Sequence, residues 1–109
     1  FNGDIEKHIK TVLKQLELTH NPQEVGAICS SIMRKIVRTG FCLVMKQEQA
    51  WTTNLKKSYE IFSKYYLRQS VSMKKALLLA QRPTTNTKEL GKFLEDFGSW
   101  LSEEVEKKM

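Results

Sequence analysis

The chain has 109 residues, 40% of them apolar and 28% charged, with a formal net charge of +6. A chain of this length closes one modest core as a single domain over residues 1–109, and its apolar fraction excludes intrinsic disorder. No apolar run approaches the roughly 18 residues of a bilayer-spanning helix, and five glycines and two prolines are too few for the turns of a many-stranded sheet.

The expected fold is therefore all-α, an up-and-down bundle of four to five helices. The start, Phe1-Asn2-Gly3-Asp4, has neither an initiator Met nor a signal-peptide pattern. It reads as a cut from a longer protein or a processed end, and a cytoplasmic protein is expected.

The first helix is predicted from Gly3 to Leu18, with Asp4 as a candidate cap, because Ile5, His8, Ile9, Val12, Leu13 and Leu16 recur at three-and-four spacing. Asn21-Pro22 marks the boundary, since proline fits only the first turn of the next helix. The second helix has the clearest period, from Val25 through Ile28, Cys29, Ile32, Met33, Ile36, Val37 and Phe41 to Val44. Gly40 interrupts it at about 1 kcal/mol relative to Ala. The period continues past it, so a neighbouring backbone is expected to come close there. A polar connection, Lys46 to Ala50, leads to Trp51 and a cap at Thr52 or Thr53. The third helix is predicted over Asn54 to Leu67, with Leu55, Tyr59, Phe62 and Tyr66 on one face. A fourth, Ser72 to Gln81, closes before Pro83. The fifth follows a cap at Thr87 and carries Leu90, Phe93, Leu94, Phe97, Trp100, Leu101 and Val105.

The two cysteines, Cys29 and Cys42, fall on the second helix, where 13 residues at about 1.5 Å rise separate them by about 20 Å. A disulfide needs Cα atoms within about 7 Å, so they do not pair with each other. Both read as small buried hydrophobes of a reducing compartment. His8 and His20 are not in a zinc-type spacing, and no metal ligand set is expected. No glycine-rich phosphate loop and no local Cys–His pairing is present, so no catalytic residue is assigned.

Charge is unevenly distributed. From Ser30 to Arg82 there are eleven Lys or Arg against two acids, Glu48 and Glu60, a local excess of +9. Arg34 and Arg38, four apart, with Lys56 and Lys57, form a candidate basic face for a polyanion. No RNA-binding motif accompanies it. A second candidate is the aromatic and polar group of Trp51, Tyr59, Glu60, Lys64 and Tyr65. An aromatic face beside a carboxylate can stack on or hydrogen-bond a cationic or heterocyclic ligand, although core packing accounts for most aromatics at helical spacing.

At these residues the chain resembles a known group. Arg38-Thr39-Gly40-Phe41, Trp51, Tyr59-Glu60-Ile61-Phe62-Ser63-Lys64-Tyr65-Tyr66, Met73-Lys74-Lys75-Ala76-Leu77 and the helix from Leu90 to Val105 look like the C-terminal helical half of bacterial nucleotidyltransferases. That group includes aminoglycoside adenylyltransferases and HEPN-like or kanamycin-nucleotidyltransferase-like bundles. The resemblance implies a substrate-binding or dimerising domain, with Trp51 and Tyr65 stacking, Tyr59 beside them, Glu60 accepting hydrogen bonds and Lys64 meeting a phosphate. It also implies that the Gly-Ser motif and the paired acids that hold Mg²⁺ and ATP lie in a catalytic domain outside this chain, which itself binds no cofactor. The chain departs from the pattern at Leu67, where proline is expected, and at Lys56 and Lys57, which would repel a cationic aminoglycoside. HEPN ribonucleases place a His shortly after an Arg, and none follows Arg34, Arg38, Arg68 or Arg82 here.

Two functions are thus expected of these residues. One is a substrate-binding half of a nucleotidyltransferase. The other is a non-catalytic module that binds an acidic partner or RNA through its basic face. A homodimer through the second and fifth helices is compatible with either.

Overall fold

The computed structural model describes residues 4–49 and 51–108. They form an all-α bundle with no strand among them. Helix α1 spans Asp4–Leu18 and buries Ile5, Ile9, Val12 and Leu16, one residue per turn on one face. The predicted start at Gly3 lies outside the described residues.

Helix α2 spans Pro22–Glu48. The Asn21 side-chain oxygen accepts the Gln23 N–H at 2.9 Å, and Pro22 occupies the first turn, where a missing N–H leaves nothing unpaired. The helix runs through Lys46–Glu48, so the expected polar connection begins later, at Gln49. That residue adopts the left-handed conformation (φ 54°) and donates its N–H to the Met45 carbonyl, closing the last turn. Polar side chains alone did not stop the helix, because all three are good helix formers. Ala50 lies outside the described residues.

Two later helices are capped by an Asn in place of the expected Thr. Asn54, not Thr52 or Thr53, caps α3 (Leu55–Tyr65), accepting the Lys57 N–H at 2.9 Å. Asn86, not Thr87, caps α5 (Thr87–Phe93), accepting the Glu89 N–H at 3.0 Å. In each case a Thr two residues earlier, Thr52 or Thr84, accepts the N–H of the capping Asn and turns the incoming chain. The hydroxyl of Thr52, one of the two expected caps of α3, is thereby engaged in the turn and leaves the cap to the Asn54 carboxamide.

Helix α3 ends two residues before the predicted Leu67. Tyr66 leaves helical geometry (φ −126°, ψ 65°), and a 3₁₀ turn over Leu67–Gln69 feeds α4 (Ser70–Gln81). Helix α4 closes with the Arg82 N–H on the Leu78 carbonyl at 2.7 Å, immediately before Pro83. Helix α5 continues through a π-helical turn, Leu94–Gly98, into α6, Ser99–Lys108, so the expected fifth helix is one continuous run with an extra residue in its middle.

Helix α2 is the central element and contacts α1, α3, α4 and α6. Its Ile32, Met33, Ile36, Val37 and Val44 are fully buried against Phe62, Met73, Leu94 and Leu101 in one continuous core. Close approach at Gly40 is real, but side chains make it rather than a backbone. A Cβ there would collide with Met73 Cε and lie 3.1 Å from Phe62 Cδ1. Gly98, at the end of the π turn, does the same for α1, where a Cβ would lie 2.7 Å from Ile9 Cδ1. No helix among the described residues is long and apolar enough to cross a membrane.

Candidate functional site

The aromatic and polar group divides into separate parts. Trp51 lies in the connection before α3 with 74% of its surface exposed, and Glu60 is exposed on α3; neither side chain makes a hydrogen bond among the described residues. Tyr59 is half-buried and turns towards α4, its hydroxyl 3.4 Å from Ser70 Oγ. Lys64 and Tyr65 do converge, but on a residue of this chain. Lys64 Nζ donates to Glu48 Oε2 and Tyr65 Oη donates to Glu48 Oε1, each at 2.8 Å.

These bonds set the electrostatics of the end of α2. The hydrogen bonds from Lys64 and then Tyr65 hold the Glu48 carboxyl below its ordinary range. The same carboxylate raises both the Lys64 ammonium and the Tyr65 phenol. Bonding to the charged form of an acid stabilises that form, and a nearby anion opposes ionisation of the phenol. The clamp joins residues 16 and 17 positions apart, a separation no local pattern reports.

A second aromatic group is structural. Phe62 stacks on Tyr66 at 4.9 Å, Tyr66 meets Trp100 edge-on at 5.4 Å, and Trp100 stacks on Phe97 at 5.5 Å. Such pairs lock ring orientations beyond what area burial achieves. The Tyr66 hydroxyl donates to Glu104 Oε2 at 2.8 Å; burial first, then that carboxylate, pushes its phenol above the ordinary range.

The basic face is only partly assembled. Arg34 and Arg38 are exposed one turn apart on the outer side of α2 and line an open depression of about 640 Å³. Lys35, His8 from α1, and the hydroxyl residues Ser30, Ser31 and Thr39 complete its wall. Lys35 follows Arg34 directly in sequence, whereas His8, from another helix, is brought there by packing that no local spacing reports. The Ser30 hydroxyl is already engaged, donating to the Ala80 carbonyl at 3.0 Å. Lys56 and Lys57 are exposed near the start of α3 and do not line this depression. Lys57 instead acts on Glu48, ten residues beyond Arg38, which is about 15 Å along the helix.

Both thiols are free. Cys29 is buried, with Sγ 3.9 Å from the Leu79 carbonyl oxygen, whereas Cys42 is only half-buried, off the apolar stripe. Burial raises both thiols, and so disfavours the thiolate that nucleophilic chemistry requires. Among the described residues no group of three or more His, Cys, Asp or Glu is placed to hold a metal ion.

The class defined by this geometry is an all-α helical bundle. Comparison with protein-family models, curated proteins and solved structures finds no match to the chain.

Proposed function

We propose that the chain is a non-catalytic interaction module that docks a polyanionic surface, an acidic protein partner or an RNA backbone, through the outer face of α2. The observation that carries this reading is the grouping of Arg34, Lys35 and Arg38 with His8 and hydroxyl residues around one open depression. Cations one turn apart on a rigid helix match the repeat of a polyanion at low ordering cost. Their attraction is long-ranged and screened by salt.

The test is a titration with a short single-stranded RNA and with polyglutamate at several ionic strengths, read by ¹⁵N-amide shifts. Three phosphate contacts give a slope of about −2 in log K against log salt for single strands. Amide shifts should centre on residues 27–39, and the Arg34→Ala/Arg38→Ala double variant should lose most of the affinity. Binding that ignores salt, or that survives the double variant, would refute the reading.

A second reading, the substrate-facing half of a nucleotidyltransferase, draws on the exposure of Trp51 (74%) and of Tyr65 (42%). Its Mg²⁺ and ATP would be held by a catalytic domain outside the chain. Titration with Mg-ATP and with an aminoglycoside separates the two readings: shifts confined to Trp51–Tyr66 favour the second, and their absence removes its support. Pairing of two copies through α2 and α6 would have to use polar faces, because the apolar stripes of both are buried within the bundle.

A further inference from the structure

Helix α4 presents a second surface, separate from the α2 depression. The segment from Leu67 to Arg82 contains four cations, Arg68, Lys74, Lys75 and Arg82, and no Asp or Glu. Its inward face, Met73, Ala76, Leu77 and Ala80, is buried in the core. Its outward face is nonetheless apolar along a strip: Leu67 is 78% exposed, Val71 82% and Leu78 52%. Val71 and Leu78 are seven residues apart and so lie on one line about 10 Å long. Lys75 lies between them on that line and stays exposed over 46% of its side chain; its Nζ leans towards α5, 5.5 Å from the centre of the Phe93 ring and 3.9 Å from Glu89 Oε2. Arg68, Lys74 and Arg82 are exposed beside the strip, while Glu89 and Asp96 line the depression on its α5 side together with Val71 and Lys75.

We infer that this face of α4 docks an acidic amphipathic helix of a protein partner. An apolar line of this length accepts side chains at i, i+4 and i+7 of one helix laid against it. The cations on its borders then meet Asp or Glu flanking those side chains, so charge fixes the partner's sign while apolar contact supplies the affinity. A second copy of this chain is a poor occupant, because apposing two such faces brings Arg68, Lys74 and Arg82 against their own equivalents. A bilayer is a poor occupant as well. Interfacial helices bury a broad apolar face, and the broad face of α4 is already inside the bundle.

The probe is a designed helical peptide of about 16 residues, with Leu at i, i+4, i+7 and i+11 and Glu on its borders. Its binding to the full chain is followed by fluorescence anisotropy. The Glu peptide should bind, and a counterpart with Lys at every Glu should not. Val71→Asp and Lys74→Glu, both at exposed positions, should each weaken binding about tenfold or more while leaving the circular dichroism spectrum unchanged. Arg34→Ala/Arg38→Ala should leave it unaltered, which separates this surface from the α2 depression. The inference is overturned if the Glu peptide does not bind, if both peptides bind alike, or if Val71→Asp has no effect. It is equally overturned if Val71→Asp instead abolishes self-association in the ultracentrifuge or adsorption to phosphatidylcholine–phosphatidylserine vesicles.

Discussion

Gly40→Ala places a methyl group where the core leaves no room for one. Taken alone, Gly→Ala inside a helix stabilises by about 1 kcal/mol. Here the new carbon would collide with Met73 Cε and press to 3.1 Å from Phe62 Cδ1. The phenyl ring has little freedom to move, being fully buried and stacked on Tyr66 at 4.9 Å. Relief must come from Met73, itself fully buried. Overpacking of this kind costs about 1–3 kcal/mol, so the net expectation is a loss of about 1 kcal/mol, or roughly 5 °C in melting temperature for a domain of this size. The decisive comparison is the same substitution in a Met73→Leu background, where the terminal methyl is withdrawn. There Gly40→Ala should be neutral or stabilising, giving a coupling of about 1–2 kcal/mol in a double-mutant cycle measured by urea denaturation. If Gly40→Ala stabilises the wild-type chain, or changes both backgrounds equally, the packing argument fails.

Asn54→Ala and Asn86→Ala should each cost about 1 kcal/mol by denaturant titration, whereas Thr53→Ala and Thr87→Ala should cost clearly less; reversal of that order would reject the assignment of the caps. Glu48→Gln tests the clamp by pH. The depressed Glu48 carboxyl stabilises the fold above the unfolded carboxylate range and loses that effect as pH falls through its folded value; the raised Tyr65 phenol and Lys64 ammonium stabilise below their unfolded values and lose that effect as pH rises through their folded ones. The melting-temperature gap between wild type and Glu48→Gln should therefore be widest from about pH 5 to pH 9 and close at both extremes, and a gap independent of pH would reject the clamp.

The helical architecture is legible because burial follows period. Ile5, Ile9, Val12 and Leu16, and the run from Val25 to Val44, are apolar where the helix face turns inward. The two Thr-Thr-Asn tripeptides, at 52–54 and 84–86, also carry a readable signal, since the same sequence makes the same turn and cap twice. The break between the third and fourth helices is legible, but its position is not: the third helix stops at Tyr65 instead of Leu67, and Leu67-Arg68-Gln69 contains no Gly or Pro to mark the boundary. The π turn at Leu94–Gly98 is silent for a similar reason, because inserting one residue into a helix changes hydrogen-bond register without changing composition.

The candidate sites divide along the same line. Arg34 and Arg38 share a face because they share a helix, and spacing suffices to place them together. Lys56 and Lys57 belong to another helix, and their distance from that face is a property of packing alone. Tyr65 and Lys64 were readable as a polar pair, but their common partner Glu48 was not, since a bond between side chains 16 residues apart leaves no trace in a helical period.

Helix α2 has 27 residues, a length of about 40 Å, and the longest dimension of the molecule is 42 Å. One rod therefore runs nearly from pole to pole. The Arg34–Arg38 surface lies near its midpoint and the Glu48 clamp at one end, so their spacing is set by a stiff ruler rather than by loops. Gly40, between them, is where such a rod would bend most readily, and Phe62 and Met73 are wedged against that point like a splint.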